Sequence, residues 1–133
     1  RLDVRLEVRG ERAGLWRAPG PVPVLLLEHQ RFFGSRPGLY GQRGADYPDN
    51  AQRFAFLSRA ALEVPAALGL SPQVVHLHDW QTALGAWLLR SEKAGDPPLG
   101  GARCVLVVAV GASDASRRSG WQNSTLMVEW LTD

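Results

Sequence analysis

Cysteine is nearly missing from this chain: Cys104 is the single one in 133 residues, so no internal disulfide can staple the fold. A lone thiol in an apolar run is the expectation for a buried core residue of a reducing compartment. Histidine is also scarce, with only His29, His76 and His78, which leaves little material for a metal centre. Charge of one sign is lacking as well. Fifteen basic side chains face thirteen acidic ones, a formal balance of +2. Without a basic block or interleaved aromatics and arginines, a nucleic-acid partner is not expected. The longest apolar runs fall far short of a bilayer's thickness, and no signal-like segment opens the chain, so neither membrane nor export is expected and the cytoplasm is the predicted location. The start at Arg1, without an initiator methionine, suggests a segment of something longer.

What is present is 45% apolar residues, enough for a globular core in one domain. Leu2, Val4, Leu6 and Val8 alternate with charged residues, which predicts a strand with one wet face. Leu15 to Ala18 is placed to return as a hairpin partner, and Val22 to Leu27 forms a further apolar run. Between Glu28 and Asp49 the glycines and prolines are too frequent for regular structure. A long loop is expected there, holding Phe32, Phe33, Tyr40 and Tyr47.

Asp49 and Gln52 have capping-box spacing and open a helix. Phe54, Leu57, Ala61 and Leu62 form its predicted buried stripe, while Arg53, Arg59 and Glu63 are assigned to solvent. Pro65 or Gly69 is expected to end or kink it.

The centre of the chain is Val74-Val75-His76-Leu77-His78-Asp79-Trp80-Gln81-Thr82-Ala83. A β-branched run stops at polar residues and a helical pattern begins at once, the outline of a strand buried on both faces feeding a helix. Ligand crevices in open α/β sheets lie outside the carboxyl ends of strands, where His78, Asp79 and Trp80 fall. Asp79 also suits a helix cap, and the alternation puts His76 and His78 on one face of the strand. The helix is expected over Thr82 to Lys93 with Leu84, Trp87 and Leu88 on its apolar face. Cys104 to Val110 then reads as another fully buried strand. Beyond it the periodicity fails, and only Met127 to Leu131 could form a short element. A metal-dependent hydrolase built on His76-x-His78-Asp79 is a competing reading, but no second ligand cluster follows and no metal is expected. The predicted class is α/β: a partial Rossmann-like parallel sheet flanked by helices.

Gly38-Leu39-Tyr40-Gly41, the segment from Ala45 through Tyr47-Pro48-Asp49-Asn50 to Phe54, and the Val74 to Ala83 run resemble the motifs of bacterial glycogen and plant starch synthases, in that family's order. The likeness extends from about Val22 to Val108. It implies retaining transfer of glucose from ADP-glucose to the non-reducing end of an α-1,4-glucan, on the two facing Rossmann-like domains of a GT-B fold. The resemblance places this chain in the middle of the N-terminal, acceptor-side domain. It implies a catalytic role for Asp79 beside the transferred sugar, substrate-binding roles for Tyr40, His78 and Trp80, and no cofactor beyond ADP-glucose as donor substrate.

Departures from the family pattern are equally plain. Its Lys-x-Gly-Gly-Leu loop would precede Arg1, and its His-Asn continuation is replaced by Ala109-Val110-Gly111. Residues 1–110 therefore resemble part of the catalytic domain, and 111–133 are expected to be a divergent, poorly ordered tail. The expectation is a chain catalytically incomplete on its own, because groups that neutralise a departing diphosphate are not recognised in it. A non-catalytic glucan-binding or interaction module is the alternative reading.

Overall fold

The computed structural model describes residues 2, 4–108 and 128–132. The chain opens with β1 (Arg5–Val8), β2 (Glu11–Ala18) and β3 (Val24–Glu28), an antiparallel meander in that order. The predicted alternation is observed in β1, where Leu6 and Val8 are buried and Arg5 and Glu7 are exposed. A π-helical turn (Gln30–Gly34) follows, then a small hairpin of β4 (Gly41–Gln42) and β5 (Ala45–Asp46). The expected long loop thus contains two pieces of local order. Arg43 and Gly44, both at positive φ, make the two-residue hairpin turn.

Helix α1 (Asn50–Leu68) begins after Asp49, but the capping box does not form: the Asp49 side chain makes no cap bond and instead receives Arg36 Nη2 at 2.6 Å. Pro65 lies inside the helix without ending it. The chain leaves the helix at Gly69, whose φ of +68° a residue with a Cβ adopts only at a cost. There Leu70 N donates to Pro65 O and Gly69 N to Ala66 O, the paired bonds of a Schellman ending.

The expected one-sided burial of α1 is not what occurs. Phe56, Ala60 and Val64 pack with Leu6, Val8, Ala13, Leu15 and Phe32 of the meander, while Leu62 joins Val75, Leu77, Leu88, Leu89 and Leu99 on the other side. A helix between two layers buries small residues on intermediate faces, hence Ser58 and Ala61. Leu57 is half-buried. Arg59 and Glu63, assigned to solvent, are half-buried and pair with Glu92 and Lys93. Glu92 also meets Arg9 at 3.3 Å, and the Arg59 hydrogen bond is the main influence holding its carboxyl below the ordinary value.

The second layer is a βαβ unit: β6 (Val74–His78), a 3-10 turn (Trp80–Thr82), α2 (Leu84–Ser91) and β7 (Arg103–Val107), which runs parallel to β6. This is the predicted Rossmann-like element, and the molecule is of the α/β class. The face of α2 differs from expectation. Gly85, Leu88 and Leu89 are buried, whereas Leu84 and Trp87 are 38% and 60% exposed. Helix and strand meet at Gly85, where an added Cβ would stand 3.1 Å from Leu77 Cδ2, so the small residue sets the contact face.

Strand β6 is buried on one face only. Val75 and Leu77 are inside, while His76 and His78 on the other face are half-exposed. Nor is β7 the fully buried strand its composition predicts: Val105, Leu106 and Val107 are exposed, because among the described residues β7 pairs only with β6. Cys104 is half-buried, and that burial pushes its thiol above the ordinary value. Strand β8 (Val128–Leu131) pairs antiparallel with the free side of β6. Of the expected tail, 111–127 and 133 lie outside the described residues. No helix among those described is long and apolar enough to cross a membrane.

Candidate active site at the tip of β6

β6 ends at His78, and the chain turns sharply at Asp79. Asp79 has φ +65° and ψ 176°, a backbone region populated almost wholly by glycine and costing a side-chain-bearing residue about 1–3 kcal/mol. Three bonds hold it there. Asp79 N donates to Val107 O of β7 at 2.7 Å, and Asp79 O accepts from Thr82 N and Thr82 Oγ1. Thr82 is fully buried, and its hydroxyl is also within 2.8 Å of His78 O, so the turn is tied to the strand it leaves. The carboxylate then caps the 3-10 turn, its Oδ1 accepting from Trp80 N at 2.7 Å. Asp79 is half-buried. A carboxylate with one oxygen committed to the backbone has the other with which to accept a ligand hydroxyl.

Trp80 lies 55% exposed beside this turn. The loop before α1 brings Tyr40 against it, with ring centroids 5.9 Å apart and planes 24° from parallel, and Phe54 of α1 meets the indole edge-on at 5.2 Å. Gln81, itself buried, donates through Nε2 to the Tyr40 hydroxyl. An aromatic wall adjoins a carboxylate at a strand tip. Such a wall offers apolar stacking area, and the carboxylate offers directional acceptors, the combination that suits a pyranose.

The Tyr40 loop is held from beneath by Arg53. Its Nε donates to Phe32 O at 2.8 Å, and Nη1 to Leu39 O at 2.8 Å and Asn50 Oδ1 at 2.6 Å. The guanidinium also lies within 5.5 Å of the Phe33, Tyr47 and Phe54 ring centres. Arg53 is therefore not the solvated residue expected; it is 1% exposed. Burial, chiefly, and the neighbouring Arg36 push its pKa down from the ordinary value, opposed by Asp49 and Tyr47. Asn50 Nδ2 donates to Tyr40 O at 2.7 Å, and Tyr47 N donates to the same carbonyl. Gly38 and Gly41 allow the loop to close on itself, because a Cβ at either would collide with a backbone carbonyl of Gly41 or Ala45.

Of the four site residues predicted, Asp79, Trp80 and Tyr40 come together. His78 does not join them through its side chain, which lies against His76 at a 4.1 Å ring separation and near Glu129. Gln81 and Asn50 stand in the quoted motifs without a predicted site role, and Arg53, expected in solvent, joins them beneath the loop. Helical periodicity gives Arg53 to solvent, and the loop folding over that face buries it; Gln81 is buried on the 3-10 turn, and Asn50 is half-buried. Glu129 carries no sequence signal of its partnership.

The chain has relatives among known proteins, in sequence and in fold. The model of a family described as starch synthase catalytic domain matches residues 2–109. A glycogen synthase of Anaeromyxobacter dehalogenans strain 2CP-C is 60% identical over 103 residues, which make up 77% of this chain and 22% of that relative. Glycogen synthase 1 of Geobacter sulfurreducens is 48% identical over 111 residues, covering 80% of this chain and 22% of the relative. Among solved structures, the catalytic domain of starch synthase IV from Arabidopsis thaliana, bound to ADP and acarbose, superposes with a TM-score of 0.63 at 33% identity. That match covers 79% of this chain and 22% of the other. The chain thus spans about a fifth of the length of the relatives it matches. By the family model and these identities, the chain belongs to the starch synthase catalytic-domain family and carries part of its GT-B glycosyltransferase fold.

Proposed function

We propose that this chain supplies the acceptor-side wall of a glucan synthase site, where glucose passes with retention from ADP-glucose to the non-reducing end of an α-1,4-glucan. The observation that carries the reading is Asp79, held in a costly backbone conformation at the strand tip beside the exposed Trp80. A fold keeps such strain where a side chain's aim matters more than local stability. Asp79 is assigned to hold hydroxyls of the transferred glucose, and Trp80 with Tyr40 to stack on glucose faces. His78, whose side chain lies against His76 and near Glu129, is given no part in this groove.

In the transfer, the bond from glucose C1 to the donor phosphate breaks and one from C1 to the acceptor oxygen forms. Negative charge accumulates on the leaving diphosphate and must be met by donors or cations. The reading assigns those groups to the parts of the family's length that this chain does not span. The chain alone is expected to bind glucan without turning it over. The reading includes a cytoplasmic location and no nucleic-acid or membrane partner.

Calorimetric titration with a maltooligosaccharide tests the assignment. Trp80→Ala should weaken binding about tenfold, the loss of roughly 1–1.5 kcal/mol of aromatic contact. Unchanged affinity in that variant contradicts it. Glucose transfer from ADP-glucose by the purified 133-residue chain contradicts the expectation of incompleteness.

A further inference from the structure

We propose that His76, His78 and Glu129 form a binding site for a first-row divalent cation of the zinc type, on the face of the sheet turned away from α2. In the β6–β8 register His76 stands directly opposite Glu129, and period-2 geometry puts His78 on the same face one step along. The neighbours Val75 and Leu77 turn the other way into the core. The site is therefore assembled by strand pairing, from one ligand pair on a single strand and a third ligand across the ladder.

The distances suit a metal. Glu129 Oε2 lies 3.0 Å from His76 Nδ1 and 3.3 Å from His78 Nε2, and all three ligand atoms fall within 4.8 Å of one another. Ligands at roughly 2.0–2.2 Å around a tetrahedral zinc are separated by roughly 3.3–3.5 Å, so small rotamer adjustments complete the triangle. His78 Nε2, one of the two ligand nitrogens, makes no hydrogen bond, while the other, His76 Nδ1, already meets Glu129 Oε2 at 3.0 Å. A cation would accept a lone pair from each imidazole and from the carboxylate. Two nitrogens and an oxygen favour zinc, cobalt or nickel over magnesium or calcium. Half-exposed side chains give an entry path and leave a fourth position to water. The bound ion would pin β8 to β6, adding a cross-strand link to the sheet that carries Asp79 at its tip.

The test uses the tag-free 133-residue chain, dialysed against chelator and titrated at neutral pH with Co2+ by visible absorption and with Zn2+ by calorimetry. One ion per chain is expected, with the intense band of four-coordinate Co2+, and at least 100-fold weaker binding in both His78→Gln and Glu129→Gln. Circular dichroism of the metal-free variants confirms that they are folded. Because either variant could instead lose β8, hydrogen exchange of the unsubstituted chain provides a second reading: Zn2+ should slow exchange at Glu129 and Trp130 by at least tenfold. Less than half an equivalent bound, affinity unchanged by Glu129→Gln, or exchange in β8 indifferent to Zn2+ overturns the proposal. None of these measurements involves a sugar, so their failure leaves the glucan reading intact, and the reverse also holds.

Discussion

Replacing Arg53 with methionine should lower the unfolding free energy by about 3–5 kcal/mol, among the largest effects expected of any single substitution here. Methionine retains much of the apolar stem but removes every donor. The carbonyls of Phe32 and Leu39, now served by Arg53 at 2.8 Å each in a buried and a part-buried bond, would lose those bonds. Each such buried acceptor costs about 1–3 kcal/mol when left unmade. Arg53→Lys should recover less than half of the loss, because an ammonium cannot reproduce a planar fork that reaches Phe32 O, Leu39 O and Asn50 Oδ1 at once. Urea denaturation monitored by tryptophan fluorescence checks both. A loss under about 1 kcal/mol for Arg53→Met contradicts the role given to Arg53 as the post beneath the Tyr40 loop.

At Asp79 the account makes an opposite kind of prediction, in which stability and binding separate. Asp79→Gly should stay within about 1 kcal/mol of the unsubstituted chain. Relief of roughly 1–3 kcal/mol of backbone strain offsets the lost bond to Trp80 N and the added freedom of the unfolded chain. Asp79→Ala keeps the strain and loses the bond, so it should be less stable than Asp79→Gly by about 1–3 kcal/mol. Both should lose maltooligosaccharide binding by at least tenfold. Paired denaturation and calorimetry decide the matter: an alanine variant as stable as the glycine variant would show that the φ of +65° costs nothing.

These two residues mark the limits of what one-dimensional pattern reveals. The β-branched run from Val74 and its halt at Asp79 announce a strand tip, and the structure has one there, because the change of period is written into adjacent residues. The β1–β2 hairpin is equally legible from its alternation. Arg53 is not legible, since the helix pattern puts it on a wet face and only the returning loop, with Phe32 and Leu39 some distance away in sequence, encloses it. The same limit explains α2. Leu84 and Trp87 satisfy an apolar stripe, yet the close approach of Gly85 to Leu77 rotates the contact toward Leu88 and Leu89. At β7 the composition announces burial on both faces while the strand is exposed. Glu129 completes its histidine pair across 53 positions, beyond the reach of any local spacing rule.

The central claim is that a glucan lies along the Tyr40–Trp80 wall with its hydroxyls against Asp79. Amide chemical-shift mapping of the 15N-labelled chain during titration with a maltooligosaccharide tests it most directly. The account predicts saturable shifts concentrated at Tyr40, Asp79, Trp80 and the Trp80 indole N–H. Shifts that cluster elsewhere in the fold, or none at a sugar concentration of about 10 mM, well above the Kd of a weak site, would contradict it.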